Sequence, residues 1–362
     1  MVTVMNKVFE FFLISTIIAA LAGCENNTSP NINEAQPPVI GNPQNDPPFL
    51  ISRAGAFNVG GELVEVNEAN VDASESGTVW ANQLLIRYFI PATENPKTPV
   101  VMMPGYGLAS DIYLETPDGR EGWAMQFVQA GYPVYLVEPA NSTRAGINPE
   151  IINANIKGRE SEPAQLFTWA QELTWTRFGF GPVEGEFFED ARMPRDSFDQ
   201  LVKMFTPTQV ETVEGPAIIM YGLQHNLLGL NELNEQIGRA IFLVHSASGV
   251  PGFTFASNNP ERVAAVINIE PVGCPAATVD EFPDVPVLSM FADHMEVREQ
   301  MPVRQEECQS VINELKGRGV DADMFALPDM DIHGNSHLPM SELNSADLAD
   351  LILSWLNENE IN

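Results

Sequence analysis

The chain has 362 residues, 44% of them hydrophobic, which suffices for one large domain with an insertion or for two domains around a sizeable core. Its 49 acidic against 18 basic side chains give a formal net charge of −31, which argues against nucleic acid as a partner because phosphate binding is driven by Lys and Arg. Such a charge suits a soluble, self-repelling surface and says little about fold.

The first 24 residues stand apart from the rest. Lys7 precedes an uncharged run over residues 11–22, and Leu21-Ala22-Gly23-Cys24 ends it. The run is too short to span a bilayer as a mature helix, and its charge, apolar stretch and small residues predict an export signal. The ending resembles the bacterial lipobox. That resemblance implies a signal peptide over residues 1–23, cleavage before Cys24 and lipidation of its thiol and new amino group. Glu10 and the single Lys7 depart from the pattern, and a start at Met5-Asn6-Lys7 is tidier. An ordinary signal peptide followed by a chance Cys is the alternative. Residues 24–48, rich in Asn and Pro, hold too few apolar side chains to pack and read as a flexible tether. The expected location is therefore the bacterial cell envelope, periplasmic or outer surface, with the membrane as a partner through Cys24. Cys274 and Cys308 then remain as an even pair in a compartment that permits disulfides, so a bridge is expected, with two buried thiols as the alternative.

From Phe49 the pattern changes. Phe49-Leu50-Ile51-Ser52 leads through Gly60-Gly61 to Leu63-Val64-Glu65-Val66, an alternation near a turn that predicts a hairpin, and residues 80–90 predict a further strand. Short apolar runs then read as buried parallel strands: Val100-Val101-Met102-Met103, Val134-Tyr135-Leu136-Val137, Ile241-Phe242-Leu243-Val244, residues 263–269, residues 285–291 and Met324-Phe325-Ala326-Leu327. Helices are predicted at residues 122–131, 303–316 and 346–357. This alternation specifies an α/β class with a mostly parallel sheet and antiparallel strands at its N-terminal side. The interval between Val137 and Ala240 is too long for a structureless loop. It holds Phe167, Trp169, Leu173, Trp175, Phe178, Phe180, Phe187 and Phe188, and a helix predicted over residues 196–204. A helical cap insertion at about residues 147–235 follows, covering an apolar substrate cavity, with most of these aromatics forming the cap's own core.

Val244-His245-Ser246-Ala247-Ser248-Gly249 sits where a buried strand meets a helix. A Ser in that sharp turn projects its hydroxyl above the sheet and needs small neighbours, because the turn is strained. Val244 and Ser248 stand where G-x-S-x-G carries glycines, which keeps Ser248 as an alternative nucleophile and a helix-capping role for Ser246 as the plain reading. A hydroxyl needs a hydrogen-bonded base. Of five histidines, His337 in Asp331-Ile332-His333-Gly334-Asn335-Ser336-His337 is the first choice, since this stretch lies between the last strand and the final helix; His333 is its rival. His245 is expected to pack under the turn, and His225 lies in the cap interval. Two acids end strands at the edge where such sites gather, Glu270 and Asp293. The backbone N–H groups of Tyr106 and Ala247 fit an oxyanion hole. The Cys residues are far apart and no H-E-x-x-H spacing occurs, so no metal and no cofactor is expected.

Pro104-Gly105-Tyr106-Gly107, Thr116-Pro117-Asp118-Gly119-Arg120-Glu121-Gly122-Trp123, His245-Ser246-Ala247-Ser248-Gly249 and Gly334-Asn335-Ser336-His337 together resemble a small group of exported bacterial α/β-hydrolase esterases with a Ser-Glu-His triad. The resemblance covers most of the chain after Phe49. It implies an α/β-hydrolase domain over residues 49–362, with Ser246 as nucleophile, His337 as base and Glu270, 24 positions after Ser246, as the acid in preference to Asp293. Tyr106 stands where that group can carry a Cys. The Pro117-Asp118-Gly119-Arg120 segment has turn chemistry and a structural role. The expected activity is hydrolysis of a small-molecule carboxylic ester through an acyl-enzyme. The same triad acting on an amide, lactone or thioester is one alternative, and a surface lipoprotein that uses a hydrolase-like shell only for binding is another.

Overall fold

Two long strands open the domain, β1 (Ile51–Val66) and β2 (Gly77–Pro91), paired antiparallel along nearly their whole length. The computed structural model describes residues 49–67, 75–158, 164–211, 222–274 and 282–362; the expected signal peptide, Cys24 and the tether lie outside the described residues. Gly60 and Gly61 do not form the expected hairpin turn. Both take positive φ inside β1, and a Cβ on Gly60 would lie 2.8 Å from the Gly229 Cα, so Gly60 is where a helix presses on the strand.

Next come β3 (Val100–Met103), α1 (Trp123–Gln129) and β4 (Val134–Glu138). The intervening segment contains α2 (Pro149–Ile156), β5 (Ala164–Phe167), α3 (Gln171–Phe178), α4 (Phe198–Lys203), β6 (Thr208–Glu211) and α5 (Leu223–Ile237). The rest alternates: β7 (Ala240–His245), α6 (Gly249–Asn258), β8 (Val263–Ile269), β9 (Val287–Phe291), α7 (Met301–Gly317), β10 (Ala322–Ala326) and α8 (Ser345–Glu358). The eight-stranded sheet has the order β1-β2-β4-β3-β7-β8-β9-β10. From β4 onward neighbouring strands are parallel, and β2 meets β4 antiparallel, as the sequence predicts.

The strand runs are continuously apolar because both faces are covered. Met102, Leu136, Ile241, Leu243 and Ile267 point to the face packed by α1 and α8, where Phe127, Ile352 and Trp355 meet them. Val101, Val137, Phe242, Val244 and Val266 alternate to the other face, against Leu230 and Leu233 of α5, Phe253 and Phe255 of α6, and Val311 and Ile312 of α7. α5 is thus a sheet-covering helix: its Leu230 and Leu233 stripe is satisfied by the sheet. Phe167 and Trp169 precede α3, and β5 and β6 form a separate two-stranded sheet beside them. Trp175, Phe180, Phe187 and Phe198 pack on one another and join the apolar core on the α1 and α8 side of the sheet. Cys274, just after β8, and Cys308 of α7 are joined by a disulfide. Among the described residues no helix is long and apolar enough to cross a membrane.

Candidate active site

Parallel strands place all their C-terminal ends on one edge of the sheet, so the loops leaving them converge. β3 leads into Gly105 and Tyr106, β7 into Ser246, β8 into Glu270, β9 into Asp293, and β10 into the loop that carries His337. The adjacency β3-β7-β8-β9-β10 sets these loops side by side.

The turn at Ser246 is tight. Ser246 has φ 55°, a conformation unfavourable for a side chain and held by its surroundings. A Cβ on Gly105 would come within 2.7 Å of His245 Nδ1 and 2.9 Å of Ser246 Cβ, so the neighbouring loop must be glycine there. The absence of glycine at 244 is compensated from the helix side: a Cβ on Gly252 of α6 would lie 2.8 Å from Val244 Cγ1, so Gly252 supplies the space. Ser248, the alternative nucleophile, is buried and donates its hydroxyl to the Pro104 carbonyl. His245 does more than pack under the turn. Its Nδ1 accepts from Gly105 N–H at 3.1 Å, which leaves Nε2–H to donate to the His337 carbonyl at 2.8 Å. Burial lowers its pKa to about 4, so it is a neutral strut between three site segments.

His337 Nε2 lies 2.9 Å from Ser246 Oγ, and Nδ1 lies 3.0 Å from Glu270 Oε2. Its backbone N–H donates to Phe178 O at 2.7 Å, and the Phe178 ring packs on the imidazole with centroids 5.1 Å apart. Burial, then the neighbouring cations Arg298, Arg304 and Arg177, hold the His337 pKa well below 6.5, which keeps the ring a neutral proton acceptor at neutral pH. Glu270 is fully buried at φ 48°. Its Oε1 accepts from Ala292 N–H, and its Oε2 accepts from His337 and from Arg298 Nη2.

The two candidate acids separate cleanly. Asp293 accepts from the Gly334 amide at 3.1 Å and lies 3.2 Å from His333 Nδ1, the rival base, which is exposed. Burial pushes the Asp293 pKa up, but the His294 and Gly334 amides and His333 outweigh it and hold the carboxyl below its ordinary range. Gly334 is confined as well: at φ 83° its Cβ position lies 1.9 Å from Asp190 O.

Sequence reasoning missed three supports. Arg298, on the loop between β9 and α7, is buried against Glu270. Glu342, whose pKa burial raises to about 7, accepts from Ser336 N–H at 2.6 Å and from the Asn335 amide, and so fixes the two residues before His337. Phe178 links the insertion to His337. No spacing signal marks any of them, since each acts through the fold.

Two peptide planes are oriented by their carbonyls. Leu108 N–H donates to Gly105 O at 3.2 Å, and Val272 N–H to Ser246 O at 3.2 Å. In a trans peptide the N–H opposes the C=O, so the amides of Tyr106 and Ala247 point the other way. Trp169 Nε1 donates to Tyr106 O at 2.7 Å, and Phe167 packs on the Tyr106 ring. A cavity of about 40 Å³ borders Tyr106 and Ala247, with Met103, Leu108 and Pro251 as apolar lining and Asn141, Ser142 and Thr208 as polar lining.

A mostly parallel sheet with this strand order, a strained Ser between strand and helix, and a His on the loop after the last strand together define an α/β-hydrolase. A bacterial esterase solved at atomic resolution and described as novel aligns with a TM-score of 0.78 and 30% sequence identity, over 87% of this chain and 98% of that protein. The chain belongs to the α/β-hydrolase esterases and is a carboxylesterase-like hydrolase. The probable secreted lipase phiG of Fungal sp. (strain ATCC 74256) is 23% identical over 323 residues, 76% of this chain and 86% of the lipase. No protein-family model matches the chain.

Proposed function

We propose that Ser246, His337 and Glu270 carry out acyl transfer on a small-molecule ester. His337 Nε2 takes the Ser246 proton as Oγ attacks the carbonyl carbon, and the amides of Tyr106 and Ala247 hold the resulting oxyanion. The protonated imidazole then delivers its proton to the leaving alcohol, and water repeats the sequence on the acyl-enzyme. The observation that carries this reading is the relay Ser246 Oγ, His337 Nε2 at 2.9 Å, and His337 Nδ1, Glu270 Oε2 at 3.0 Å. A cavity of about 40 Å³ lies beside the proposed oxyanion amides of Tyr106 and Ala247. Phe167, Trp169 and Phe178 stack in a chain of ring contacts that begins at Tyr106 and ends on the imidazole of His337, which supports an ester with an apolar portion. A fluorophosphonate probe is expected to label the purified protein, with the adduct on the peptide containing Ser246. An adduct on another serine, or none with active protein, would overturn the assignment.

The catalytic domain spans residues 49–362, exported and held at the cell envelope through residues 24–48 by lipid on Cys24. Leu21-Ala22-Gly23-Cys24 supports the anchor, and the similarity to a protein named as a secreted lipase supports export. Cys24→Ser should move the protein from the membrane fraction to the soluble fraction of lysed cells. A wild-type protein already soluble there would rule the anchor out.

A further inference from the structure

A buried carboxylate between two partners raises the question of what keeps it charged. Glu270 is fully buried, and without Arg298 it would keep the Ala292 amide and His337 Nδ1 as donors. Burial disfavours the charged form of a carboxyl, and a protonated acid no longer stabilises the imidazolium. Arg298 answers this. Its side chain is 1% exposed, Nη2 donates to the same Oε2 that receives His337, and Nη1 donates to Asp293 O at 3.0 Å. The insertion makes room for it: α3 ends at Gly179 with φ 77°, where a Cβ would lie 2.8 Å from Arg298 Cδ. One residue earlier, Phe178 holds the His337 amide.

We propose that Arg298 is a positioning residue for the reaction, holding Glu270 ionised and fixing the oxygen that receives His337 Nδ1–H. The proposal rests on Glu270 being the triad acid. The titratable and charged groups around His337 and Arg298 come from several elements: His245 of β7, Arg177 of α3, Arg304 of α7 and Glu342 after β10. None of them is hydrogen-bonded to Glu270 among the described residues, so the direct counter-charge is Arg298. Burial lowers the Arg298 pKa, as expected for a cation without water around it.

The test compares pH profiles of kcat/KM for Arg298→Gln and Arg298→Lys on a chromogenic ester. Removing the charge favours protonated Glu270 and also weakens repulsion of the imidazolium. Both effects raise the pH at which the active pair, ionised Glu270 with neutral His337, takes up its first proton, so the acid limb moves to higher pH, by about one unit or more, with kcat down about 10–100-fold and KM little changed. Lys keeps the charge but cannot donate to both Glu270 and Asp293 O in Arg's fork geometry, so its limb stays near the wild-type position while kcat falls about tenfold. In a Glu270→Gln background, Arg298→Gln should cost less than about threefold in kcat, because no carboxylate is left to hold. Wild-type kcat in Arg298→Lys and Arg298→Gln, or equal losses with an unmoved limb, would overturn the proposal. Should Arg298→Gln fail to fold, Arg298→Lys at wild-type kcat would overturn it alone. A Glu270→Gln enzyme at full activity would instead refute the triad acid, a separate outcome.

Discussion

Replacing Ser246 with Ala is expected to lower kcat on a chromogenic ester by on the order of 10⁴–10⁶-fold, while Ser248→Ala stays within about tenfold of wild type. The first figure follows from losing the atom proposed to form the acyl-enzyme. What remains is water attacking a carbonyl at the proposed oxyanion amides of Tyr106 and Ala247, whose planes are fixed by Leu108 and Val272 and are untouched by the substitution. The contrast with Ser248 comes from geometry: its hydroxyl is directed to Pro104 O, away from His337, whose Nε2 lies 2.9 Å from Ser246 Oγ. Circular dichroism and thermal unfolding should be nearly unchanged in the Ser246 variant, since Ala meets the same strain at φ 55°. Turnover by Ser246→Ala within a hundredfold of wild type would show that another group attacks the ester.

How much of this was legible in the sequence depends on the distance over which each feature is decided. The parallel strands could be read because burial on two faces leaves an uninterrupted apolar run, as in Ala240–His245. Gly60-Gly61 was misleading because glycine serves turns and close approaches alike, and the approaching backbone, Gly229, is 169 positions away. The packing of α5 was not legible, because its apolar stripe looks the same whether it faces a cap or a sheet. The departure from G-x-S-x-G at Val244 could not be resolved locally, since the compensating residue, Gly252, belongs to the next helix turn facing it. Glu270 and Asp293 both end neighbouring strands, and residue order alone does not say which carboxylate meets His337 and which meets His333. Arg298 was invisible for a stronger reason: its meaning exists only once the β8 and β9 loops are adjacent.

The second large effect separates those two acids. Glu270→Gln is expected to lower kcat by roughly 10³–10⁴-fold, and Asp293→Asn by less than about tenfold. Gln in place of Glu270 can present its amide N–H₂ to His337 Nδ1. The imidazole then carries its proton on Nε2, facing Ser246, and cannot accept another there. Asp293 by contrast holds the Gly334 amide and His333, so its loss loosens the loop ahead of the base and leaves the tautomer of His337 alone. The acid limb of kcat/KM reports His337 in the free enzyme, and in the wild type it should lie below 6.5, because burial and its cationic neighbours disfavour the imidazolium. Removing the Glu270 charge takes away the group that opposes those neighbours, so the limb of Glu270→Gln should move to still lower pH as the plateau falls. Removing the Arg298 charge moves it the opposite way. Two buried residues that touch one another and shift one limb in opposite directions are the signature of a charge pair acting through His337; parallel shifts would mean that the limb belongs to a different group.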